Sequence, residues 1–275
     1  MRNLILITGI CVFLTACQKE KVVNYTVPQI QKIFAACFIG DLDSIASVYL
    51  TRTTPIIGSE TLEKELITDA SVQISTFDQT INLSYNDFMQ IYSTQPNELI
   101  IKPGTAYTLK ITAGKESVSG TTVLPVPATV LLNTKIDSSL LTGDLFNTYR
   151  IETTLTQTSP GKHFIRLAAF MIFEDSGKVE LKADEANLLY EIEQGKNVRL
   201  HFTQLGYNIF SKPVRLEIMA ITTDEAYYKY HQNIEKNQLN FFLPFSEPLF
   251  NYSNMSNKIG ITGSYSISRI ELLLL

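Results

Sequence analysis

Hydrophobic and polar residues alternate with a period of two along several short stretches in the first half of the chain. Residues 72–75 and 107–111 show this alternation most clearly, and a strand with one buried face requires it. Glycine, proline, asparagine and aspartate separate these stretches and predict turns. We therefore predict an immunoglobulin-like or prealbumin-like β-sandwich over residues 29–124. Its seven predicted strands are 32–39, 45–51, 70–77, 80–85, 98–101, 106–113 and 117–124.

Two prolines in three residues, Pro125 and Pro127, interrupt this pattern. Proline is disfavoured in helix interiors and central strands, so residues 125–128 are predicted to form an extended hinge. A second β-rich domain is expected over residues 129–275. Its predicted strands are 130–136, 148–155, 163–173, 198–205, 214–222 and 260–275, and residues 243–257 are expected to be loop.

One segment of the second domain has the spacing of a helix instead. Ala226, Tyr227, Tyr230 and Ile234 recur at intervals near 3.6 residues and form an apolar stripe. Thr223 precedes two acidic residues, which favour the positive end of a helix dipole, and is expected to cap the helix. The pattern predicts a helix near residues 224–235, so the fold class is all-β with a single helix.

The first residues have the order of a secretory signal. Arg2 precedes a short apolar run over residues 4–13, and Leu14-Thr15-Ala16-Cys17 follows directly. This ending resembles the lipobox of bacterial lipoproteins, whose peptidase cleaves before a lipid-modified cysteine. The resemblance implies a signal peptide over 1–16, several acyl chains on Cys17 and a polar tether over 17–28. A short buried helix that ends in cysteine is the alternative.

Composition and scattered polar residues exclude several classes of function. The chain has 23 basic and 27 acidic residues, and this balance argues against a nucleic-acid partner. Apolar neighbours on both sides of Cys37 favour a packed thiol over a catalytic nucleophile. His163, His201 and His231 fall on three different predicted elements, so we assign no metal site.

Catalytic and cofactor motifs are equally scarce. The sequence has no Gly-x-Ser-x-Gly elbow and no His-Glu-x-x-His, and its Gly-Lys pairs lack the earlier glycine of a phosphate loop. The glycines of those pairs are expected in hairpin turns: Gly114, Gly161, Gly177 and Gly195. Residues 40–44 carry two acids and are predicted to form a polar turn rather than a calcium loop. No catalytic residue and no cofactor is assigned.

Tyrosine and phenylalanine supply the remaining candidates, with 13 Tyr, 15 Phe and no Trp. Tyr227, Tyr228 and Tyr230 are candidate binding residues, because aromatic side chains contribute disproportionately to interfaces. Core packing is the alternative for these rings. Tyr107 follows a Pro-Gly turn and is compatible with a tyrosine corner, in which the hydroxyl binds the backbone, or with an ordinary core position.

The order of these segments resembles an uncharacterised family of envelope lipoproteins, a domain of unknown function. The shared features are a lipobox, an Ala-Ser-Val-Gln-Ile strand, a Pro-Gly-x-x-Tyr-x-Leu turn, an Asp-x-x-Tyr-Tyr helix and a late Asn-Lys-Ile-Gly segment. Members are often encoded beside TonB-dependent outer-membrane receptors. The matching stretches are 32–39, 48–53, 70–74, 103–109, 124–127, 224–228 and 257–265.

These observations lead to an expected function. We expect a lipoprotein anchored to the outer membrane that acts without catalysis as an accessory or binding protein, with a TonB-dependent receptor in nutrient uptake as its partner. The alternative is a lipid-anchored hydrolase of glycans or peptides that uses acidic residues. The sequence leaves open whether the protein faces the periplasm or the cell surface.

Overall fold

The computed structural model of the chain describes residues 31–53, 65–140, 146–174, 177–183, 188–208, 213–240 and 252–274. Cys17, the signal peptide and the tether lie outside these residues. The described part is rich in β-strands and contains one helix, so the predicted all-β class with a single helix is confirmed. In this part no helix combines the length and the hydropathy needed to cross a bilayer.

Seven strands form the first half of the described chain. Alternate side chains of these strands are buried, as the period-two pattern predicts. The strands are Ile33–Gly40 (β1), Ser47–Arg52 (β2), Ser71–Ser75 (β3), Thr80–Asn86 (β4), Ile91–Ser93 (β5), Ala106–Ala113 (β6) and Glu116–Val123 (β7).

Nine strands and the helix follow. The strands are Val130–Leu140 (β8), Phe146–Gln157 (β9), Lys162–Phe173 (β10), Gly177–Glu180 (β11), Lys182–Ala183 (β12), Leu189–Glu193 (β13), Asn197–Asn208 (β14), Pro213–Thr223 (β15) and Gly260–Leu273 (β16). The helix, α1, is Glu225–Asn240 and lies between β15 and β16.

Two sheets contain all of these strands. The larger sheet has the order β11-β10-β15-β16-β1-β2-β5-β4-β3-β6-β7, and β13 also pairs with β10. The smaller sheet has the order β12-β14-β9-β8. β4 pairs with β5 through its last residues and with β3 through its first, so it joins two parts of the larger sheet.

The buried apolar residues form two main clusters that separate near the prolines. The first consists of residues between 33 and 124 together with Met255. The second lies almost entirely between 128 and 220. β16 nevertheless connects both halves, because Gly260 to Tyr265 pair with β1 in parallel and Tyr265 to Leu273 pair with β15. The division into two domains at residues 125–128 stays a prediction.

Side chains of β16 also bind the end of β7 and the chain after it. The Ser264 hydroxyl donates to the Val123 carbonyl at 3.0 Å, and the Ser266 hydroxyl donates to the Pro125 carbonyl at 2.6 Å. Both serines are fully buried. Their hydroxyls therefore satisfy backbone carbonyls that other strands leave unpaired.

Several predicted elements differ from the structure. The strand expected over 98–101 is wrong, since these residues form a turn and an extended loop, and the strand next to β2 is the three-residue β5. The strands β11, β12 and β13 were not predicted. Of the four glycines expected in hairpin turns, Gly114 and Gly177 belong to hairpins. Gly161 and Gly195 instead connect strands of different sheets, although all four have positive φ.

Candidate functional site

Asp224 holds the start of α1 against both halves of the chain. Its Oδ1 accepts a hydrogen bond from the Tyr227 N–H at 2.8 Å, and its Oδ2 accepts one from the Thr122 hydroxyl. Its own N–H donates to the Ser264 carbonyl at 3.0 Å. Asp224 is thus the N-cap of α1. The predicted cap, Thr223, is wrong because this residue still belongs to β15 and its side chain is buried.

The first two turns of α1 pack against aromatic rings from three strands. We call this set the aromatic cluster. The Tyr227 ring lies 5.3 Å from Phe38 of β1, and the Tyr228 ring stacks on Phe164 of β10 at 4.6 Å. His231 lies 4.2 Å from Tyr227. The aromatic cluster consists of Phe38, Phe164, Tyr227, Tyr228, Tyr230, His231 and Tyr265.

The predicted binding tyrosines all lie in the aromatic cluster. Tyr227 and Tyr228 are only 8% and 9% exposed, and Tyr230 is half-buried. The hydroxyls of Tyr227 and Tyr228 have partners within the chain, since Arg166 donates to Tyr227 at 3.2 Å and Gln232 donates to Tyr228 at 3.0 Å. These contacts dock α1 on the sheet, as the packing alternative describes. A role in binding a partner stays a prediction.

Burial disfavours the charged forms of two titratable groups, His231 in the aromatic cluster and Asp224 at the start of α1. It lowers the pKa of His231 to about 4, with the nearby Arg166 guanidinium adding to the effect. It raises the pKa of Asp224, although hydrogen bonds from Thr122 and from the Tyr227 N–H oppose the shift. Groups with perturbed pKa values are frequent at functional sites, but structural networks perturb them too. Here each perturbed group has a packing role.

The turn over residues 40–44 uses both of its carboxylates internally. Asp43 accepts hydrogen bonds from the Gly40 N–H at 2.7 Å and from the Tyr265 hydroxyl at 3.0 Å. Asp41 accepts one from the Ile267 N–H at 3.0 Å. The predicted polar turn between two strands is confirmed. The hydrogen bonds to Asp41 and Asp43 also hold the segments around residues 40 and 265 together.

A tyrosine corner positions the loop before β6. Tyr107 is completely buried, its hydroxyl donates to the Ile100 carbonyl at 3.2 Å, and it accepts from the Lys102 N–H at 2.8 Å. The compatibility of Tyr107 with a corner is therefore confirmed, and the residue is a core tyrosine as well. Its two bonds hold the backbone that presents Ile100 to solvent.

Large apolar side chains are exposed on three loops at one end of the first half. Phe77 is 106% exposed, Leu42 57% and Ile100 55%. The loops are hydrogen-bonded to each other, since the Asn97 N–H donates to the Ser44 carbonyl at 2.6 Å and Gln79 donates to the Ile100 carbonyl at 3.3 Å. We call this set the apolar loop end. It consists of Leu42, Ile45, Phe77 and Ile100.

The apolar loop end was not predicted from the sequence. A signal is nevertheless present at Leu42, which stands between two aspartates in the predicted turn over residues 40–44. Phe77 was assigned to the end of a predicted strand, whereas β3 ends at Ser75. An apolar residue at a turn position has no core to enter. Such a residue is more informative than one in a strand, whose burial the alternating pattern already explains.

An open cavity of about 450 Å³ lies on the smaller sheet. Its charged lining comes from neighbouring strands, where Arg150 is paired in register with Asp137 and Glu152 with His201. Glu152 forms an ion pair with Arg199 at 3.3 Å. The lining residues are Asp137, Arg150, Ile151, Glu152, His201, Phe202 and Thr203.

The other residues singled out in the sequence have structural surroundings. Cys37 is completely buried, and burial raises the pKa of its thiol to about 12, as expected for a packed cysteine. His163, His201 and His231 lie on β10, β14 and α1. Within the described ranges no three histidine, cysteine or acidic side chains are arranged to hold a metal ion.

Comparison with known families identifies the family of this chain. The model of a family described as a domain of unknown function, DUF4249, matches residues 20–271. No curated protein matches the chain. The matched range contains the aromatic cluster, the apolar loop end and the cavity on the smaller sheet.

Proposed function

Because the chain belongs to the DUF4249 family, whose description states no activity, we propose its function from the features described above. The protein is a lipoprotein anchored to the outer membrane through Cys17, and it acts without catalysis as an accessory or binding protein. Its partner is an integral outer-membrane receptor of the TonB-dependent class. The receptor class follows from the family resemblance alone.

The order of residues near the amino end supports the anchor. A charged start, a short apolar run and Leu-Thr-Ala-Cys are the three parts of a lipoprotein signal. Acyl chains on Cys17 would each add about 0.8 kcal/mol per buried methylene, so several chains hold a protein durably. Residues 18–30 then separate the lipid from the first described strand.

The apolar loop end is the observation that carries the binding role. Phe77 is fully exposed, so its ring stays in water, at a cost of about 1.5–3 kcal/mol relative to burial. Clustered exposed apolar residues on a rigid scaffold are typical of protein-binding surfaces. Tyr107 and the bonds between the loops keep Ile100 and Phe77 in place, which reduces the entropy lost on binding.

The length of β1 separates the apolar loop end from the first described residues. β1 starts at Ile33 and reaches the loop at Gly40, a distance of about 23 Å at the usual rise per residue. The apolar loop end therefore lies at the opposite end of β1 from Ile33. It can contact the extramembrane part of a neighbouring receptor while the lipid stays in the bilayer.

Two matched variants test the binding role. Phe77→Ser removes an aromatic ring from the apolar loop end, and Phe88→Ser removes one that is 97% exposed on the β4–β5 turn. The epitope-tagged full chain is expressed in its host and cross-linked in intact cells, and bound proteins are identified by mass spectrometry. We expect an integral barrel protein with the wild type and Phe88→Ser, and at least a fivefold loss with Phe77→Ser.

Three results would contradict parts of this proposal. Equal recovery of the barrel protein with both variants would remove the role of the apolar loop end. Recovery of no integral protein with the wild type would remove the partner. An unmodified Cys17 in the mass spectrum of the purified protein, or retention of Met1, would remove the anchor.

The cavity on the smaller sheet supports the second candidate, a hydrolase. Asp137 and Glu152 both line this cavity, and paired carboxylates are what glycoside hydrolysis requires. Both acids already have a cationic partner, since Asp137 forms an ion pair with Lys135 and Glu152 forms one with Arg199. Release of reducing ends from envelope polysaccharides by the wild type, and its loss in Glu152→Gln, would favour this candidate over the first.

A further inference from the structure

β8 forms an edge of the smaller sheet. Among the residues that the structure describes, it pairs only with β9, along eleven consecutive positions without a register shift. The Thr158 N–H donates to the Thr129 carbonyl, and the Thr129 N–H donates to the Ser159 hydroxyl, so both backbone groups of residue 129 face β9. Because direction alternates along a strand, the backbone groups of even-numbered residues 130–140 point away from β9.

The sequence of this edge is almost symmetric about Ile136. Lys135 and Asp137 flank it with opposite charges, and both are solvent-exposed. Further out, threonine and serine occupy 134 and 138, asparagine and serine occupy 133 and 139, and leucine occupies 132 and 140. A strand with this pattern is complementary to a second copy of itself that runs in the opposite direction.

We propose that two copies of the protein associate through antiparallel pairing of their β8 strands, with the two-fold axis at Ile136. The two smaller sheets then form one sheet of eight strands. This is an isologous interface, the commonest kind in homo-oligomers. Pairing also removes an exposed edge, which soluble β-proteins otherwise protect against uncontrolled association.

Hydrogen bonding and charge select the same register. A two-fold axis at Ile136 places even-numbered residues opposite even-numbered ones, and these are the residues whose backbone groups face outward. Lys135 of each copy then lies opposite Asp137 of the other, in the type of pair in which side chains approach most closely. An axis at residue 134 would place Leu131 opposite Asp137, and an axis at 138 would place both charges opposite uncharged residues.

Charge reversal tests the interface. In Lys135→Asp or in Asp137→Lys, both charge pairs across the axis become like-charged, and we expect the dimer dissociation constant to rise at least about tenfold. The double variant restores opposite charges and should restore the wild-type constant. The measurement is sedimentation equilibrium of the full chain in detergent micelles, with thermal unfolding as the check on folding.

Thermal unfolding of the variants as monomers separates association from folding. Within one chain Lys135 is paired in register with Glu152, and Asp137 with Arg150. Each single reversal disturbs one of these neighbours, whereas the double variant disturbs both. The ion pair between Lys135 and Asp137 within one chain, at 3.1 Å, is broken in each single reversal and restored in the double variant. A purely structural role therefore predicts lower thermal stability of the monomer in the single variants, whereas the dimer interface predicts a raised dissociation constant with unchanged monomer stability.

Disulfide formation tests the register. Lys135→Cys protein mixed with Asp137→Cys protein should form a linked dimer on mild oxidation, because directly opposite residues suit disulfide geometry. Asn133→Cys mixed with Asp137→Cys is the matched control and should link at least tenfold more slowly. A monomer at every concentration, a dimer insensitive to both single reversals, or equal linking in the control would overturn the proposal.

Discussion

Asp224 allows a sharp test of how α1 is attached to the sheet. Replacement by alanine removes the cap of the Tyr227 N–H, worth about 1 kcal/mol, and the hydrogen bond from Thr122 to a charged acceptor, worth about 1.5–3 kcal/mol. Relief of a buried carboxylate offsets part of this loss. We expect Asp224→Ala to lower the free energy of unfolding by about 1–3 kcal/mol at pH 7.

Asparagine at the same position is the matched control. Its side-chain oxygen caps a helix as well as aspartate does, and its amide can bind the Thr122 hydroxyl without a buried charge. Burial raises the pKa of Asp224 in the folded state, so protonation stabilises the fold. That stabilisation is complete below about pH 4, the unfolded value, and is lost as pH rises through the folded pKa.

The assay is urea unfolding of the three proteins at pH 7 and pH 4. At pH 7 we expect Asp224→Asn to be at least as stable as the wild type, and at pH 4 its stability relative to the wild type should be lower. Equal losses in the alanine and asparagine variants would show that the charge, rather than the cap, holds α1. A loss below about 0.5 kcal/mol in Asp224→Ala would show that the aromatic contacts suffice without the cap.

The remaining predictions concern buried positions. Gly260→Ala should destabilise the fold by about 3–5 kcal/mol in urea unfolding, because the residue has φ +95° and a new Cβ would lie 2.1 Å from the Ala35 carbonyl oxygen. Gly104→Ala, at φ +81° with nothing within 4 Å, should cost only about 1–2 kcal/mol, and equal losses would refute the steric argument. Cys37 should react with a thiol reagent only at the rate of unfolding, and fast labelling of the native protein would contradict its burial. His231 should stay neutral in NMR titrations down to about pH 4, and its folded pKa, below the unfolded value of about 6.5, should make stability fall as pH drops through that interval. His231→Phe should flatten this slope, and an unchanged slope would assign it to other groups.

The strands predicted correctly were those in which apolar and polar residues alternate because one face of the strand is buried. β6 has the predicted bounds, and Tyr107 at its second position makes the bonds that its Pro-Gly turn suggested. The region of 98–101 was misassigned because Leu99, Ile100 and Ile101 are consecutive apolar residues without alternation. Their environments differ, since Leu99 is buried while Ile100 is exposed. β5 is too short for any period to be recognised.

The candidate surfaces depended on information that a local pattern does not contain. The tyrosines of α1 were identified by composition, but their burial depends on Phe38 and Phe164, which are far away in the sequence. Parallel pairing of β1 with β16 joins residues more than 220 positions apart and has no local signal. The segment 257–265 is part of this long-range contact, because Asn257 donates to the Ile33 carbonyl at 2.7 Å.

The late position of β16 has a consequence for synthesis of the protein. At about 5–20 residues per second, the ribosome needs roughly 10–40 s to extend the chain from the end of β1 to the start of β16. Throughout this interval β1 lacks one neighbour, and β15 lacks one from its own synthesis until β16 is complete. Each then presents a row of free amide and carbonyl groups. A nascent or truncated chain is thus a substrate for holding chaperones and proteases until its final strand fills the gap.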